Sequence, residues 1–247
     1  MSGARLDDRV VLVTGGARGQ GASHARHLAR EGARVVITDL RDELGEQTAA
    51  ELSALGLDVS YLHHDVTSEE SWISVVGSVV ETHGRIDGLV NNAGIVRVVP
   101  IADETLDGWS RVLSVNAASA FLGVKTVAPI LVAHGGGSIV NVSSTSALVG
   151  SPGYAAYCAS KAAVLGLTRV AALEYAGSGV RVNALCPGGV STAMNDDEPP
   201  GGVGPSTPLG RRAVVDEISP LVVYLMSNES FFMTGSEVVI DGGFTAQ

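Results

Sequence analysis

A tyrosine and a lysine four residues apart form the pair in this 247-residue chain that is best suited to proton transfer. Tyr157 and Lys161 lie in an alanine-rich stretch with a helical pattern, and residues four apart share one face of a helix. A phenol with a pKa of about 10 shuttles protons poorly at neutral pH, but an adjacent ammonium group stabilises the phenolate and lowers that pKa. The pair is therefore a candidate general acid/base.

Two serines precede this pair, at the end of an apolar run that reads as a strand. Ser144 stands 13 residues before Tyr157, and Ser143 is its immediate neighbour. The Tyr-x-x-x-Lys pattern alone is common by chance, so other motifs must support it.

A glycine-rich turn, TGGARGQG at 14–21, follows the first apolar run and opens a helical pattern. Its glycines let the backbone turn tightly and approach a diphosphate, which would lie at the positive end of the helix dipole. Gly16 and Gly21 have the spacing of a nucleoside triphosphate-binding loop, but Ala22 and Ser23 stand where a Lys-Ser or Lys-Thr pair is required. The turn therefore favours a dinucleotide over nucleoside triphosphate hydrolysis.

An aspartate ends the second predicted strand. Asp39 follows Gly21 by 18 residues, close to the roughly 20 expected of a carboxylate that binds the adenosine ribose hydroxyls. A carboxylate there repels a 2′-phosphate, whereas Arg18 or Arg41 could contact one. We weigh the like-charge repulsion more heavily, so the predicted cofactor is NAD.

Short β-branched runs alternate with longer amphipathic stretches along the chain. The runs predict strands at 10–14, 34–39, 58–63, 86–91, 138–143, 180–186 and 237–241. The stretches predict helices at 20–31, 42–55, 69–82, 106–133, 153–175 and 214–225. This alternation predicts a single doubly wound α/β domain over 1–247, a parallel seven-stranded sheet with helices on both faces.

The segment 191–210, STAMNDDEPPGGVGPSTPLG, interrupts that rhythm with three acidic residues, four prolines and four glycines. Twenty residues without a regular pattern inside a compact domain are typical of a lid or binding loop, or of local disorder. We interpret the segment as a substrate-binding lid.

Together these pieces resemble the short-chain dehydrogenase/reductase family over nearly the whole chain. The motifs stand in the family's order: TGGARGQG at 14–21, Asp65-Val66, Asn91-Asn92-Ala93-Gly94, Asn116, Ser144, Tyr157, Lys161 and Pro187-Gly188. TGGARG, Asp39 and the ending VVIDGGFT at 238–245 look most like the bacterial 3α/20β-hydroxysteroid dehydrogenase branch. The resemblance implies a Rossmann-type domain and NAD-dependent interconversion of a secondary alcohol and a ketone.

The resemblance also implies a role for each matching catalytic residue. Tyr157 donates or accepts the substrate proton, and Lys161 holds the nicotinamide ribose and tunes the tyrosine. Ser144 orients the carbonyl or hydroxyl, the family's usual distance to the tyrosine favouring it over Ser143. Asn116 holds a water in a proton relay.

A larger set is implied to contact the cofactor. Asp65 and Val66 resemble the adenine contacts, and residues after the sixth strand resemble those that hold the carboxamide and phosphates; Asn92 is expected to stabilise the sheet more than to touch the ligand. The full set is Gly15, Arg18, Gly19, Gln20, Gly21, Asp39, Asp65, Val66, Asn91, Ala93, Gly94, Tyr157, Lys161, Pro187, Gly188, Val190 and Thr192.

Composition excludes several other classes of protein. Sixteen basic against 26 acidic residues give a net charge of −10, which opposes nucleic-acid binding. No uninterrupted apolar run approaches the roughly 18 residues of a membrane helix, and the N-terminal residues do not read as a signal peptide. Two cysteines, Cys158 and Cys186, make no disulfide framework, so a reducing cytoplasm is the expected location.

No metal site is expected. The histidine pairs His24/His27 and His63/His64 lack further ligands at metal-binding spacings, so we interpret them as solvated surface or local capping. The acidic run at 196–198 is interpreted as a solvated charge run.

Two classes of substrate are compatible with the sequence. A bulky, apolar alcohol or ketone such as a steroid is the first expectation, and 3-oxoacyl-carrier-protein reductase is the alternative, although Asp39 and the acidic balance argue against it. A non-enzymatic NAD-binding scaffold is a further alternative that the complete catalytic set opposes. The family resemblance also implies a homotetramer.

Overall fold

Seven parallel strands form one sheet in the order β3-β2-β1-β4-β5-β6-β7. A computed structural model describes residues 4–194 and 207–246. The strands are β1 (Val10–Thr14), β2 (Arg34–Asp39), β3 (Val59–His63), β4 (Gly88–Asn91), β5 (Gly137–Val142), β6 (Val180–Pro187) and β7 (Glu237–Ile240). The predicted doubly wound sheet is confirmed.

Helices connect the strands in the predicted order. They are α1 (Gly19–Arg30), α2 (Asp42–Ala54), α3 (Glu69–His83), α4 (Leu106–Leu113), α5 (Ser119–Ala133), α6 (Ala155–Tyr175) and α7 (Val215–Met226). Local sequence sets their ends: the hydroxyls of Ser68 and Thr105 cap α3 and α4, and Gly84 ends α3 in the left-handed conformation at φ 75°.

The sheet separates two apolar layers. All five residues of β1 are buried, as a strand covered on both faces requires. One layer includes Leu28 of α1, Leu52 of α2 and Ile218 of α7. The other includes Trp72 of α3 and Leu131 of α5. Strand β1 contributes to both, because its side chains alternate between the two faces.

The predicted single helix over 106–133 is wrong in one respect. A π-helical segment, Ser114–Ala118, separates α4 from α5. The apolar pattern on each side is helical, so it gives no sign of the extra residue in this turn. Asn116 lies at the centre of the segment.

The helical run Leu106–Ala133 is long and apolar enough to cross a membrane by length and composition alone. Core helices of folded proteins pass the same test. Here α5 packs on α3, α6 and the sheet, with Val127, Ala128 and Leu131 fully buried. Packing accounts for the apolar character of this face of α5.

The strand order places the site. Strands β2 and β3 lie on one side of β1, whereas β4, β5, β6 and β7 lie on the other, so the crossover direction reverses between β1 and β4. In open parallel sheets, ligands bind in the crevice beyond the carboxyl ends of the strands at such a reversal.

Candidate active site

A cavity of about 390 Å³ opens at that reversal. Its walls come from the segments that follow β1, β2, β3, β4 and β5, together with α4, α6 and the chain after β6. Of the predicted site residues it is lined by Gly15, Arg18, Gly19, Gln20, Gly21, Asp39, Asp65, Val66, Ala93, Gly94, Tyr157, Lys161 and Thr192. The fold thus brings the glycine-rich turn and the Tyr–Lys pair to one space.

The glycine-rich turn approaches the chain after β4 closely. Gly15 has φ +63°, and a Cβ on it would lie 2.9 Å from Cα of Ala93. Helix α1 begins at Gly19, has no side-chain cap, and its N-terminal turn lines the cavity. Free backbone N–H groups at a helix N-terminus attract an anion, so this turn suits a diphosphate.

Asn91 ends β4 and Asn92 follows it, and their side chains have different surroundings. Asn91 is buried outside the cavity lining and its Nδ2 donates to Oδ1 of Asn141 at 2.8 Å, tying β4 to β5. Asn92 lines the cavity, and its Nδ2 donates to the carbonyls of Thr14 and Gly15 at 2.9 and 3.1 Å. Side chains alternate along a strand, so the first asparagine faces the neighbouring core and the second reaches the turn.

Asp39 is 8% exposed and lies in the cavity wall at the end of β2. Its Oδ2 accepts from the backbone N–H of Ala17 at 3.3 Å. Its Oδ1 accepts from the backbone N–H and Nε of Arg41, each at 3.2 Å. The carboxylate is therefore held between the glycine-rich turn and an arginine that itself lines the cavity.

The segment after β3 forms the far wall. Hydrogen bonds from the side chain and backbone of Thr67 lower the pKa of Asp65 and keep its carboxylate ionised. Trp72 donates from Nε1 to the carbonyl of Val66 at 3.0 Å. These contacts fix the backbone of Asp65 and Val66 from behind.

The expectation that the histidine pairs are solvated surface or local capping is wrong for His24 and His64, which are buried. His64 is 1% exposed, lines the cavity, and packs edge-on against Trp72 with ring centroids 4.4 Å apart. His24 is fully buried, with Nδ1 2.9 Å from Oγ of Ser219 across the α1–α7 contact. Burial lowers the pKa of His64 to about 4 and that of His24 to about 3, so both are neutral at pH 7.

Tyr157 and Lys161 lie together on α6, as the four-residue spacing predicts. Nζ of Lys161 is 5.7 Å from the centroid of the Tyr157 ring and donates to the carbonyl of Val142 at 2.8 Å. Lys161 is 4% exposed, and burial lowers its pKa to about 8. The lysine is thus still largely protonated at pH 7.

The neighbouring serines, Ser143 and Ser144, differ in burial and in hydrogen bonding. Ser143 is 3% exposed, and its hydroxyl donates to the carbonyl of Lys161 at 2.9 Å. Ser144 is half-buried, and its Oγ accepts from the backbone N–H of Ser146 at 3.1 Å, which caps the short 3₁₀ turn Thr145–Ala147. The Ser143 hydroxyl hydrogen is committed to the backbone, although Ser143 lines the cavity and Ser144 does not.

Asn116 lies behind the cavity wall. Its Oδ1 accepts from the N–H of Ile95 at 2.8 Å, and its Nδ2 donates to the carbonyl of Ile95 and to Oγ of Ser160 at 2.9 and 3.0 Å. A Cβ on Gly94 would lie 3.3 Å from Oδ1 of Asn116 and 3.5 Å from Nζ of Lys161. The glycine leaves open the space between the asparagine and the lysine.

Of the residues predicted to contact the cofactor at the end of β6 and after it, one lines the cavity and three do not. Gly188 donates its N–H to the carbonyl of Ile240 at 3.0 Å, and Val190 is buried in the core; with Pro187 they lie outside the cavity lining. Thr192 lines the cavity, 3.6 Å from a Cβ placed on Gly19. Of the predicted lid, residues 195–206 lie outside the described residues, as does the acidic run at 196–198.

Sequence reasoning missed several cavity residues. They lie at or after the carboxyl ends of strands, or on α4 and the π-helical segment that follows it, and include Leu40, His64, Thr67, Ile95, Arg111, Val115 and Val142. Ala193 and Met194 also line the cavity, and they belong to the predicted lid. Those after β2, β3 and β4 carry a usable signal, since the segments that follow strand carboxyl ends form the border of the crevice in open parallel sheets. Arg111 and Val115 carry none, because their place depends on the packing of α4.

The cavity fits a dinucleotide and gives no support for a metal. In the described part of the chain, no three His, Cys, Asp or Glu side chains converge as a metal set would. Oε1 of Gln20 and Nε2 of His64 are buried without a hydrogen-bond partner there, and both residues line the cavity. Buried polar atoms of this kind are commonly satisfied by ligand or water.

Comparison with known proteins agrees with this architecture. A family model described as Enoyl-(Acyl carrier protein) reductase matches residues 15–245. The chain is 45% identical to cyclopentanol dehydrogenase of Comamonas testosteroni, covering 98% of this chain and 99% of that protein. It is 46% identical to 3-alpha-(or 20-beta)-hydroxysteroid dehydrogenase of Mycobacterium tuberculosis H37Rv, covering 100% and 92%.

A solved structure is similar over almost the full length. The crystal structure of a short-chain type dehydrogenase/reductase from Mycobacterium marinum has a TM-score of 0.96 at 32% identity and covers 99% of this chain and 98% of its own. The fold and site define an oxidoreductase that uses a nicotinamide cofactor. The chain belongs to the short-chain dehydrogenase/reductase family.

Proposed function

We propose that this protein is an NAD(H)-dependent oxidoreductase that interconverts a secondary alcohol and a ketone. One observation carries the proposal: Tyr157 and Lys161 line the same cavity as the glycine-rich turn and Asp39. A nicotinamide held in this cavity would supply the hydride chemistry of the reaction. The chain itself has to move the proton and orient the substrate oxygen.

Tyr157 is the proposed proton donor and acceptor. A protonated Lys161 near the ring stabilises the phenolate that forms when the tyrosine gives up its proton. Ser144 is proposed to orient the substrate oxygen. The hydrogen bonds support this choice over Ser143, because the Ser143 hydroxyl donates to the backbone carbonyl of Lys161. The Ser144 Oγ accepts from the N–H of Ser146 and donates no hydrogen bond within the part of the chain that the structure describes.

Asn116 and Gly94 are proposed to connect Lys161 with a relay water. The amide of Asn116 holds the π-helical segment against Ile95 and Ser160. The space beside Gly94 is bordered by the Asn116 oxygen and the Lys161 ammonium, which are suitable partners for a water. Protons lost by Tyr157 would leave by this route.

Asp39 supports NAD over NADP. Its carboxylate lies in the cavity wall beside the glycine-rich turn, where the 2′-hydroxyl of the adenosine ribose would donate to it and a 2′-phosphate would be repelled. The hydrogen bonds from Arg41 reduce this repulsion without removing it. The remaining predicted cofactor contacts, including Arg18, Asn91, Pro187, Gly188 and Val190, stay part of the proposal.

The proposed substrate is a bulky, apolar alcohol whose hydroxyl is on a carbon ring, such as a hydroxysteroid. Apolar side chains with large exposed fractions occur on the loops before α4 and α6 and after β6: Val98, Leu148, Val149 and Met194. The backbone N–H of Val99 bonds the carbonyl of Gly153 at 2.8 Å, which joins two of these loops next to α6. Names of two relatives, a cyclopentanol and a hydroxysteroid dehydrogenase, agree with such a substrate.

The alternative substrate is a 3-oxoacyl thioester on a carrier protein. The description of the matching family model names a carrier-protein reductase, which keeps this alternative open. A carrier is acidic, and the net charge of −10 disfavours its docking. A panel of cyclic alcohols, hydroxysteroids and 3-oxoacyl thioesters, each with NAD(H) and NADP(H), separates the two. Thioester reduction with NADPH as the best reaction would overturn our proposal.

A non-enzymatic NAD-binding scaffold would bind NADH but oxidise no alcohol in that panel.

We also propose that the chain acts as a homotetramer in the cytoplasm and forms one domain over 1–247. Exposed apolar side chains on the outer faces of α5 and α6, among them Phe121, Val170 and Leu173, support association. Sedimentation of the purified protein as a monomer would contradict the tetramer.

A further inference from the structure

A tyrosine outside the cavity holds both ends of the turn that carries Asp39 and Arg41. The hydroxyl of Tyr61, on β3, donates to the backbone carbonyl of Asp39 at 2.9 Å. The same hydroxyl donates to Oδ1 of Asp42, the first residue of α2, at 2.6 Å. One hydroxyl hydrogen is thus shared between the end of β2 and the start of α2, and it sets the width of the turn between them.

Neighbouring contacts fix this hydroxyl in place. Nδ1 of His63 lies 2.7 Å from the same Oδ1 of Asp42, and the N–H of His64 donates to the carbonyl of Asp39 at 2.9 Å. Tyr61 pairs with Ile37 in the sheet register and packs against the apolar layer below α2. We call Tyr61, His63 and Asp42 the turn clasp.

Gly45 makes room for the clasp. A Cβ at Gly45, in the first turn of α2, would overlap the ring of Tyr61. Glycine is less favourable than alanine inside a helix, so its presence here needs a reason. The reason is that the tyrosine ring occupies the space against the helix backbone and so brings its hydroxyl to the turn.

The clasp residues do not line the cavity, whereas Asp39, Leu40 and Arg41 do. Resting on the proposed function, we infer that Tyr61 is a positioning residue for the preference between NAD and NADP, acting through the Asp39 carboxylate. The Asp39 carbonyl accepts from both His64 and Tyr61, so its peptide cannot rotate, and the carboxylate stays in reach of Ala17 and Arg41. Loss of the hydroxyl releases the turn. The Asp39 carboxylate then bonds the ribose hydroxyls less well than in the unchanged protein, and it repels a 2′-phosphate less strongly.

The test compares Tyr61→Phe with the unchanged protein by calorimetric titration of NADH and NADPH and by steady-state kinetics with both cofactors. The ratio of NADPH to NADH dissociation constants should fall about fivefold, as expected for one hydrogen bond of about 1 kcal/mol. The KM for NAD should rise while kcat changes little, because the hydroxyl of Tyr61 bonds Asp39 and Asp42 and none of the proton-transfer residues. Tyr175→Phe is the matched control: its hydroxyl makes no hydrogen bond among residues 4–194 and 207–246, so the ratio should stay unchanged.

A double-mutant cycle separates positioning from general loss of structure. In an Asp39→Ala background, Tyr61→Phe should leave the ratio unchanged, because the group it positions is gone. If Tyr61→Phe does not fold, Asp42→Ala removes the α2 end of the clasp at an exposed site and should lower the ratio in the same direction. An unchanged ratio in the folded variants, or an equal effect with and without Asp39, overturns the inference. Failure of the unchanged protein to bind NADH overturns the proposed function instead.

Discussion

Nζ of Lys161 lies 5.7 Å from the centroid of the Tyr157 ring and at 2.8 Å from the carbonyl of Val142, so one ammonium group contacts both the end of β5 and the face of the tyrosine. The strand carbonyl fixes the lysine, and the helix carries the tyrosine to it. The electrostatic environment of the phenol therefore depends on the packing of α6 against β5.

Replacing Tyr157 by phenylalanine should lower kcat for alcohol oxidation by about 10³-fold, because the general acid/base is lost. The dissociation constant for NADH should remain nearly unchanged. Stopped-flow and titration measurements check the two quantities, with Tyr175→Phe on the same helix as the control. Near-normal turnover in Tyr157→Phe would refute the proposed mechanism.

Lys161 should make stability depend on pH in a defined direction. Burial lowers its pKa in the folded protein to about 8, below the value of 10.5 for an exposed lysine. Between these two pH values the unfolded chain therefore binds more protons than the folded protein does. The free energy of unfolding rises as the pH increases from about 8 to about 10.5. Below pH 8 Lys161 is protonated in both states, and burial of its ammonium group lowers the free energy of unfolding by the full amount.

Lys161→Met removes this contribution. At pH 7 the variant should gain up to about 3 kcal/mol from losing the buried charge, before any change in packing, and that gain should disappear toward pH 10.5. Urea denaturation of both proteins at several pH values measures the difference. A difference that is constant from pH 7 to pH 10 would show that the lysine does not titrate in this range.

Asp39→Ser should raise kcat/KM with NADP relative to NAD by about tenfold or more, because it removes the repulsion of the 2′-phosphate while Arg41 remains. Asp58→Asn is a suitable control, since this exposed carboxylate stands at the opposite end of the neighbouring strand. Initial rates with both cofactors give the ratio. If Asp39→Ser leaves it unaltered, Asp39 does not determine the preference.

Gly94→Ala should lower kcat by about tenfold or more through displacement of groups at the site, because its methyl group fills the space between Asn116 and Lys161. Gly77→Ala provides the contrast. A Cβ there meets nothing within 4 Å on an exposed face of α3, so the substitution should stabilise the fold by about 0.5–1 kcal/mol and leave kcat alone. Equal activity of the two variants would exclude a functional space beside Gly94.

The regular elements could be predicted because local pattern and tertiary environment agree. Strands β1 and β2 have the predicted limits, since β-branched runs buried on both faces have one stable placement. The Tyr157–Lys161 geometry follows from helical spacing alone. The shared cavity follows from the rule that ligands bind beyond strand carboxyl ends.

The remaining features depend on contacts between distant segments. Nothing in the local sequence distinguishes Asn91 from Asn92, because the choice depends on which face of β4 meets Asn141. His24 is buried because α7 brings Ser219 to it, some 195 positions away. The cavity wall at Arg111 and Val115 likewise depends on how α4 packs.

The π-helical segment Ser114–Ala118 sets how α5 is rotated relative to α4. Each residue turns an α-helix by about 100°, so the surplus residue sets the angular phase of α5 relative to α4. Deleting one residue there would make the hydrogen bonding regular but would rotate Val127 and Leu131 away from the sheet, or Val115 away from the cavity. We therefore expect insertions and deletions in this helix to be tolerated only outside the stretch from Val115 to Leu131.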